Sequence, residues 1–140
     1  MESISTEQRE LLLEMFGNIR RSIITLYEWN KDVVDFNELL CSISGMKTLS
    51  ADCMLIQAIG EEFKKIDKYT DGALLPLRSE IPWKQVKGMR DHIAHGYFDI
   101  NIDFVEDVVK NNLKPLEEAV DFFISYLSQL NQEFSNNKQS

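Results

Sequence analysis

Apolar residues recur at three- and four-residue steps along almost the whole chain, and no segment alternates apolar and polar residues with period two. A chain patterned in this way buries its stripes by packing helix on helix, so the fold it specifies is all-α, an antiparallel bundle of four to five helices. With 140 residues there is room for one such bundle, read as a single domain over 1–134 followed by a polar, frayed tail at 135–140.

The first stripe, Leu12, Met15, Phe16, Ile19, Ile23, Leu26 and Tyr27, predicts a long helix starting near Ser5 or Thr6, either of which can cap free amides. A short helix is expected around Phe36 to Ile43, with Gly45 as a stop and Ser50 near the start of a second long helix that runs to about Lys68. Cys53, Ile56, Ile59, Phe63 and Ile66 form its buried face, and Gly60 on that face implies close approach by a neighbouring helix. The segment with Asp71, Gly72 and Pro76 reads as a loop. Pro82 suits the first turn of a third long helix carrying Trp83, Val86, Met89, Ile93 and Tyr97, with Gly96 placed to end it. Asn101 or Asp103 can cap the last helix, which restarts or kinks at Pro115 and carries Leu116, Val120, Phe123, Leu127, Leu130 and Phe134.

One stretch does not read as scaffold. The net charge is −8, yet from Lys84 to His95 three basic residues (Lys84, Lys87, Arg90) face one acidic residue (Asp91). The overall charge argues against nucleic-acid binding through a broad basic face, but it leaves room for a local site. Asp91 lies four positions before His95 and can hold its tautomer and raise its affinity for a proton. Arg90 and His95 are five apart, which an ideal helix separates by roughly 140°. Either the helix distorts before Gly96, or two copies meet so that each cleft takes both residues; the second route is the one expected.

Histidine can take a proton from a ribose 2′-hydroxyl or give one to a departing 5′-oxygen, and arginine's planar fork can hold a phosphate and offset transition-state charge. Together they support RNA cleavage without a metal. The same pair also reads as a surface arginine and a histidine at a helix C-terminus. Lys84 and Lys87 are candidates for substrate phosphate, and equally for plain solvated lysines. His92 reads as structural or solvent-facing, Trp83 as a core anchor, and Glu61 as either a surface charge or a partner of Arg90.

Arg90, four residues, His95, one residue and Tyr97 reproduce the Arg-x-x-x-x-His-x-Tyr motif, and "IGEEF" at 59–63, "IPW" at 81–83 and "GMRDHIAHGYFDIN" from 88 match in order and separation. On these blocks the chain resembles the HepT-like branch of the HEPN superfamily, helical toxins paired with a nucleotidyltransferase antitoxin of the MntA type. The resemblance implies a homodimeric ribonuclease with Arg90 and His95 at a composite cleft, and with Tyr97 as the tyrosine that the antitoxin adenylylates. The position after the arginine is commonly Asn in that family and is Asp91 here. A carboxylate tightens the pairing to His95 but places negative charge near the phosphate. A catalytically silent subunit that docks a nucleotidyltransferase, and a helical scaffold dimer, are the competing readings.

Cys41 and Cys53 lack metal-like spacing and read as reduced, mostly buried thiols. His92 and His95 find no further converging ligands, so no metal and no cofactor are expected. No stretch has the apolar length of a membrane span and the start "MESISTEQRE" lacks signal-peptide features, which points to a cytoplasmic protein.

Overall fold

The computed structural model describes residues 4–139, with side chains described through residue 130. Among them the chain forms six α-helices and no strand: α1 (Thr6–Asn30), α2 (Ile43–Tyr69), α3 (Trp83–Lys87), α4 (Met89–Ile93), α5 (Ile102–Asp107) and α6 (Leu113–Gln139). Helix α1 opens with a reciprocal cap, in which the Gln8 amide donates to Ser5 Oγ at 3.0 Å and the Ser5 amide to Gln8 Oε1 at 2.9 Å. Its stripe is buried from Leu12 to Leu26, with Tyr27 partly buried, and it packs against α2 and α6.

Four aromatic rings, one each from α1, α2, α3 and α6, knit the core. Phe16 stacks on Phe123 at 5.1 Å and meets Phe63 edge-on at 6.5 Å, while Trp83 lies 5.0 Å from Phe63 and 6.1 Å from Phe123. Trp83 Nε1 donates to the Arg78 carbonyl at 3.0 Å, so its polar edge is satisfied where it is partly buried. It is the anchor its sequence position implied.

Several boundaries differ from expectation. Residues Phe36–Cys41 form a 3₁₀ helix, and α2 begins at Ile43, capped by Ser42 Oγ, which accepts from the Gly45 amide at 2.9 Å. Gly45 is therefore not a stop. It is buried inside α2 against the preceding turn, where an added Cβ would lie 2.8 Å from the carbonyl carbon of Leu39. Cys41 is exposed rather than buried, while Cys53 is buried.

The expected single helix from Pro82 to His95 is two short helices that meet at Gly88. Both lean on α2 at Gly60, whose added Cβ would sit 2.8 Å from the Val86 carbonyl oxygen, so the close approach implied by that glycine is real. At the other end, the last helix begins as α5, passes through a π-turn at Val108–Asn112 and continues as α6. Pro115 supplies the reason: it has no amide to bond back to residue 111 and its ring crowds that carbonyl, and the wider turn before it absorbs the mismatch. The expectation for Phe134 concerns a side chain outside the described residues, while the backbone of α6, expected to end near Phe134, runs on to Gln139.

Candidate active-site cleft

Helix α4 ends at Ile93, three residues before Gly96. The chain turns extended at Ala94 (φ −165°, ψ 147°), and Ala94 pairs with Ile100 in an antiparallel bridge. The Asn101 amide donates to the Ile93 carbonyl at 2.9 Å and the His95 amide to the Asp99 carbonyl at 3.1 Å. A tight turn, closed by the Asp99 amide donating to the Gly96 carbonyl at 3.1 Å, carries Tyr97 and Phe98 at its tip. Gly96 has φ +145°, a conformation L side chains rarely adopt, which is the local reason for a glycine at this corner.

This short hairpin resolves the 140° problem within one chain. Arg90 and Asp91 from α4, His95 and Tyr97 from the hairpin, and Ser50 and Gln57 from α2 line one open cleft of about 630 Å³. Had the helix continued, His95 would have pointed away from Arg90; the extended backbone brings it round. The helix end does distort before Gly96, which is the first of the two routes weighed above. Tyr97, expected on an apolar stripe, is instead 55% exposed on the rim, and Phe98 beside it is 98% exposed.

The remaining candidates are placed differently. Lys87 donates to Asp67 Oδ2 at 2.7 Å in a half-buried ion pair that ties α3 to α2, and neither it nor Lys84 lines the cleft. Arg90 forms no ion pair among the described residues, with Glu61 or any other group, so its guanidinium is available to a ligand. Asp91 and His95 share the cleft but no hydrogen bond, because the helical spacing that would align them stops between them. His92 points to the other side of α4, its ring 5.9 Å from that of Phe104. Among the described residues no group of three or more His, Cys, Asp or Glu side chains could hold a metal ion.

Cys53 also borders the cleft, but burial, with the Asp52 carboxylate adding to it, pushes its thiol up to about 11. It stays protonated near neutrality and is no nucleophile. The cleft's chemistry is that of a free guanidinium, an imidazole, a carboxylate and a phenol.

The model of the family described as "Ribonuclease HepT-like" matches residues 19–122, most of the chain and all of the cleft. The chain belongs to the HepT-like ribonuclease family. Among its relatives, a protein of Methanocaldococcus jannaschii named as an RNase is 29% identical over 115 residues, covering 74% of this chain and 88% of that one. A protein of Thermococcus cleftensis named as a probable ribonuclease HepT is 28% identical over 100 residues, covering 71% and 84%. No solved structure matches the chain.

For this HepT-like chain, sequence reasoning missed the α2 wall. Ser50, Met54 and Gln57 repeat at steps of four and three, so they share a helix face, and Met54 is 72% exposed in the middle of it. A methionine set off the apolar stripe of Cys53, Ile56 and Ile59, between two polar residues, was the available signal.

Proposed function

We propose that this chain is an endoribonuclease toxin that cleaves RNA without a metal ion, at a cleft holding Arg90 and His95 and shared between two copies. A cognate nucleotidyltransferase of the MntA type silences it by adenylylating Tyr97. One observation carries the reading: in a member of the HepT-like ribonuclease family, Arg90, His95 and Tyr97 line the same cleft.

His95 takes the proton of a ribose 2′-hydroxyl, and that oxygen attacks the adjacent phosphorus as the bond to the 5′-oxygen breaks. The departing oxygen takes a proton from a second imidazole, that of the other copy, leaving a 2′,3′-cyclic phosphate and a 5′-hydroxyl. Arg90 holds the non-bridging oxygens and offsets the charge that builds on them. Asp91 places a carboxylate in the same cleft, which weakens phosphate binding there. The relatives named as RNases favour RNA as substrate, and a cytoplasmic site of action follows from that substrate.

Dimerisation draws support from apolar side chains left in water around the cleft. Ile43, two turns before Ser50 on α2, is 93% exposed, and Met54 and Phe98 are similarly bare. Tyr97 is exposed enough for a partner enzyme to reach its hydroxyl. Attack of that oxygen on the α-phosphorus of ATP expels pyrophosphate, and the adenylate left behind adds bulk and a negative charge at the mouth of the cleft.

The test is expression of the chain without any partner, beside His95→Ala and Arg90→Gln variants, following growth and RNA integrity. Loss of either group should lower cleavage by about 10²–10⁴-fold. Equal growth with intact RNA in all three cultures would sink the nuclease reading. It would favour a catalytically silent subunit that docks the nucleotidyltransferase, for which Asp91 in the cleft is the motivating observation.

A further inference from the structure

A second cleft, of about 380 Å³, lies on the opposite side of α4, between α3–α4 and the segment running from α5 through the π-turn. Among the described residues none lines both clefts. Its floor is core: Ile81, Val86, Met89 and Leu116 are each 6% exposed or less. One wall is aromatic, formed by the His92 and Phe104 rings inclined at 38° to each other. The volume falls at the low end of the range for small-molecule sites, ~300–1,000 Å³, and suits a body of one or two rings.

The polar side of this cleft is its solvent-exposed edge, built by the π-turn. In an α-helix residues five apart point in different directions, but the wider turn brings Asn112 round to Asp107, so that two amides converge on one carboxylate. Asn111 Nδ2 donates to Asp107 Oδ1 at 2.8 Å and Asn112 Nδ2 to Oδ2 at 3.4 Å. Both donors are neutral amides, so they orient the carboxylate without pairing it with a cation. Among the described residues no cation pairs with Asp107, and no Lys or Arg lines the cleft. A chain of net charge −8 adds a long-range field that draws cations and repels anions.

We propose that this second cleft binds a small, flat organic cation, an amidinium or guanidinium carried on an aromatic body. The planar cation donates to the free lone pairs of Asp107, and the ring lies on the apolar floor beside His92 and Phe104. Phosphate-bearing ligands are excluded by the same carboxylate. The site stands independently of the nuclease reading, although it shares α4 with the first cleft: Met89 and His92 face one cleft and Arg90 and Asp91 the other.

Benzamidine is the probe, titrated into the full chain and followed by NMR at the His92 and Phe104 rings. Neutral benzamide of the same shape, and benzoate, serve as comparators. Benzamidine should saturate with a dissociation constant of about 1 mM, a value ordinary for so small a molecule. Benzamide should bind about three- to fivefold more weakly and benzoate weaker still, because one solvent-screened charge-assisted contact is lost or reversed. Asp107→Asn should cost benzamidine about three- to fivefold, while Asp103→Asn, one turn away on α5 and outside the cleft, should change nothing. The inference falls if benzamide titrates like benzamidine, if Asp107→Asn leaves the affinity unaltered, or if the shifts centre on His95 and Tyr97.

Discussion

Among the described residues Asp52 is the only buried carboxylate, with no exposed surface, and Asn30 Nδ2 donates to its Oδ1 at 2.8 Å. Two buried acceptors of this pair, Asp52 Oδ2 and Asn30 Oδ1, have no donor. A proton on Asp52 Oδ2 supplies one, and burial accordingly pushes the carboxyl up to about 6, against 3.8 for an ordinary aspartate. Between those values the folded protein keeps a proton that the unfolded chain has released, so stability falls as pH rises through this window and levels off above it. The difference amounts to about 3 kcal/mol at most. Asp52→Asn supplies the missing donor without a charge, so at pH 8 it should raise the urea midpoint and flatten the pH profile; an unchanged profile would remove Asp52 as the cause. At Gly60, alanine gains roughly 1 kcal/mol of helix propensity but places its methyl against the Val86 backbone, which cannot swing aside. Gly60→Ala should be net destabilising by about 1–3 kcal/mol in thermal or urea unfolding.

At the scale of elements, what could be read from the sequence was whatever one helix dictates by itself. The stripes of α1 and α2, the capping role of Ser5 and the anchoring of Trp83 follow from periodicity and local chemistry. The break at Gly88 and the hairpin from Ala94 to Ile100 do not, because each is set by backbone groups meeting across space: Gly60 against Val86, and Ala94 against Ile100. The motif was therefore legible as residues and its geometry was not, since Tyr97 and His95 belong to a turn where the spacing implied a helix. The two positive-φ glycines, Gly96 and Gly72, separate these contributions. An added Cβ meets nothing within 4 Å at either, so alanine costs only backbone strain, about 1–2 kcal/mol in each case. Comparable drops in melting temperature are expected for Gly96→Ala and Gly72→Ala. Only Gly96→Ala should also lower RNA cleavage, by tenfold or more, because a small displacement of His95 from its working geometry is amplified in rate.

For the molecule as a whole, charge decides how RNA is approached. The chain carries −8, and among the described residues Arg90 is the only Lys or Arg lining the candidate active-site cleft, since Lys87 is committed to Asp67 and Lys84 is not among its lining residues. Affinity for single-stranded nucleic acid falls with salt according to the number of phosphates neutralised, with a logarithmic slope of about −0.7 for each. One guanidinium per copy, or two in a shared cleft, gives a slope between about −0.7 and −1.4. Binding of single-stranded RNA to the His95→Ala variant, measured by fluorescence anisotropy from low to moderate salt, should therefore be weak and only shallowly salt-dependent. Arg90→Gln in that background should remove most of the slope. A slope steeper than about −3 would require several further cations, and would return Lys84 and Lys87 to the substrate path despite their positions in the fold.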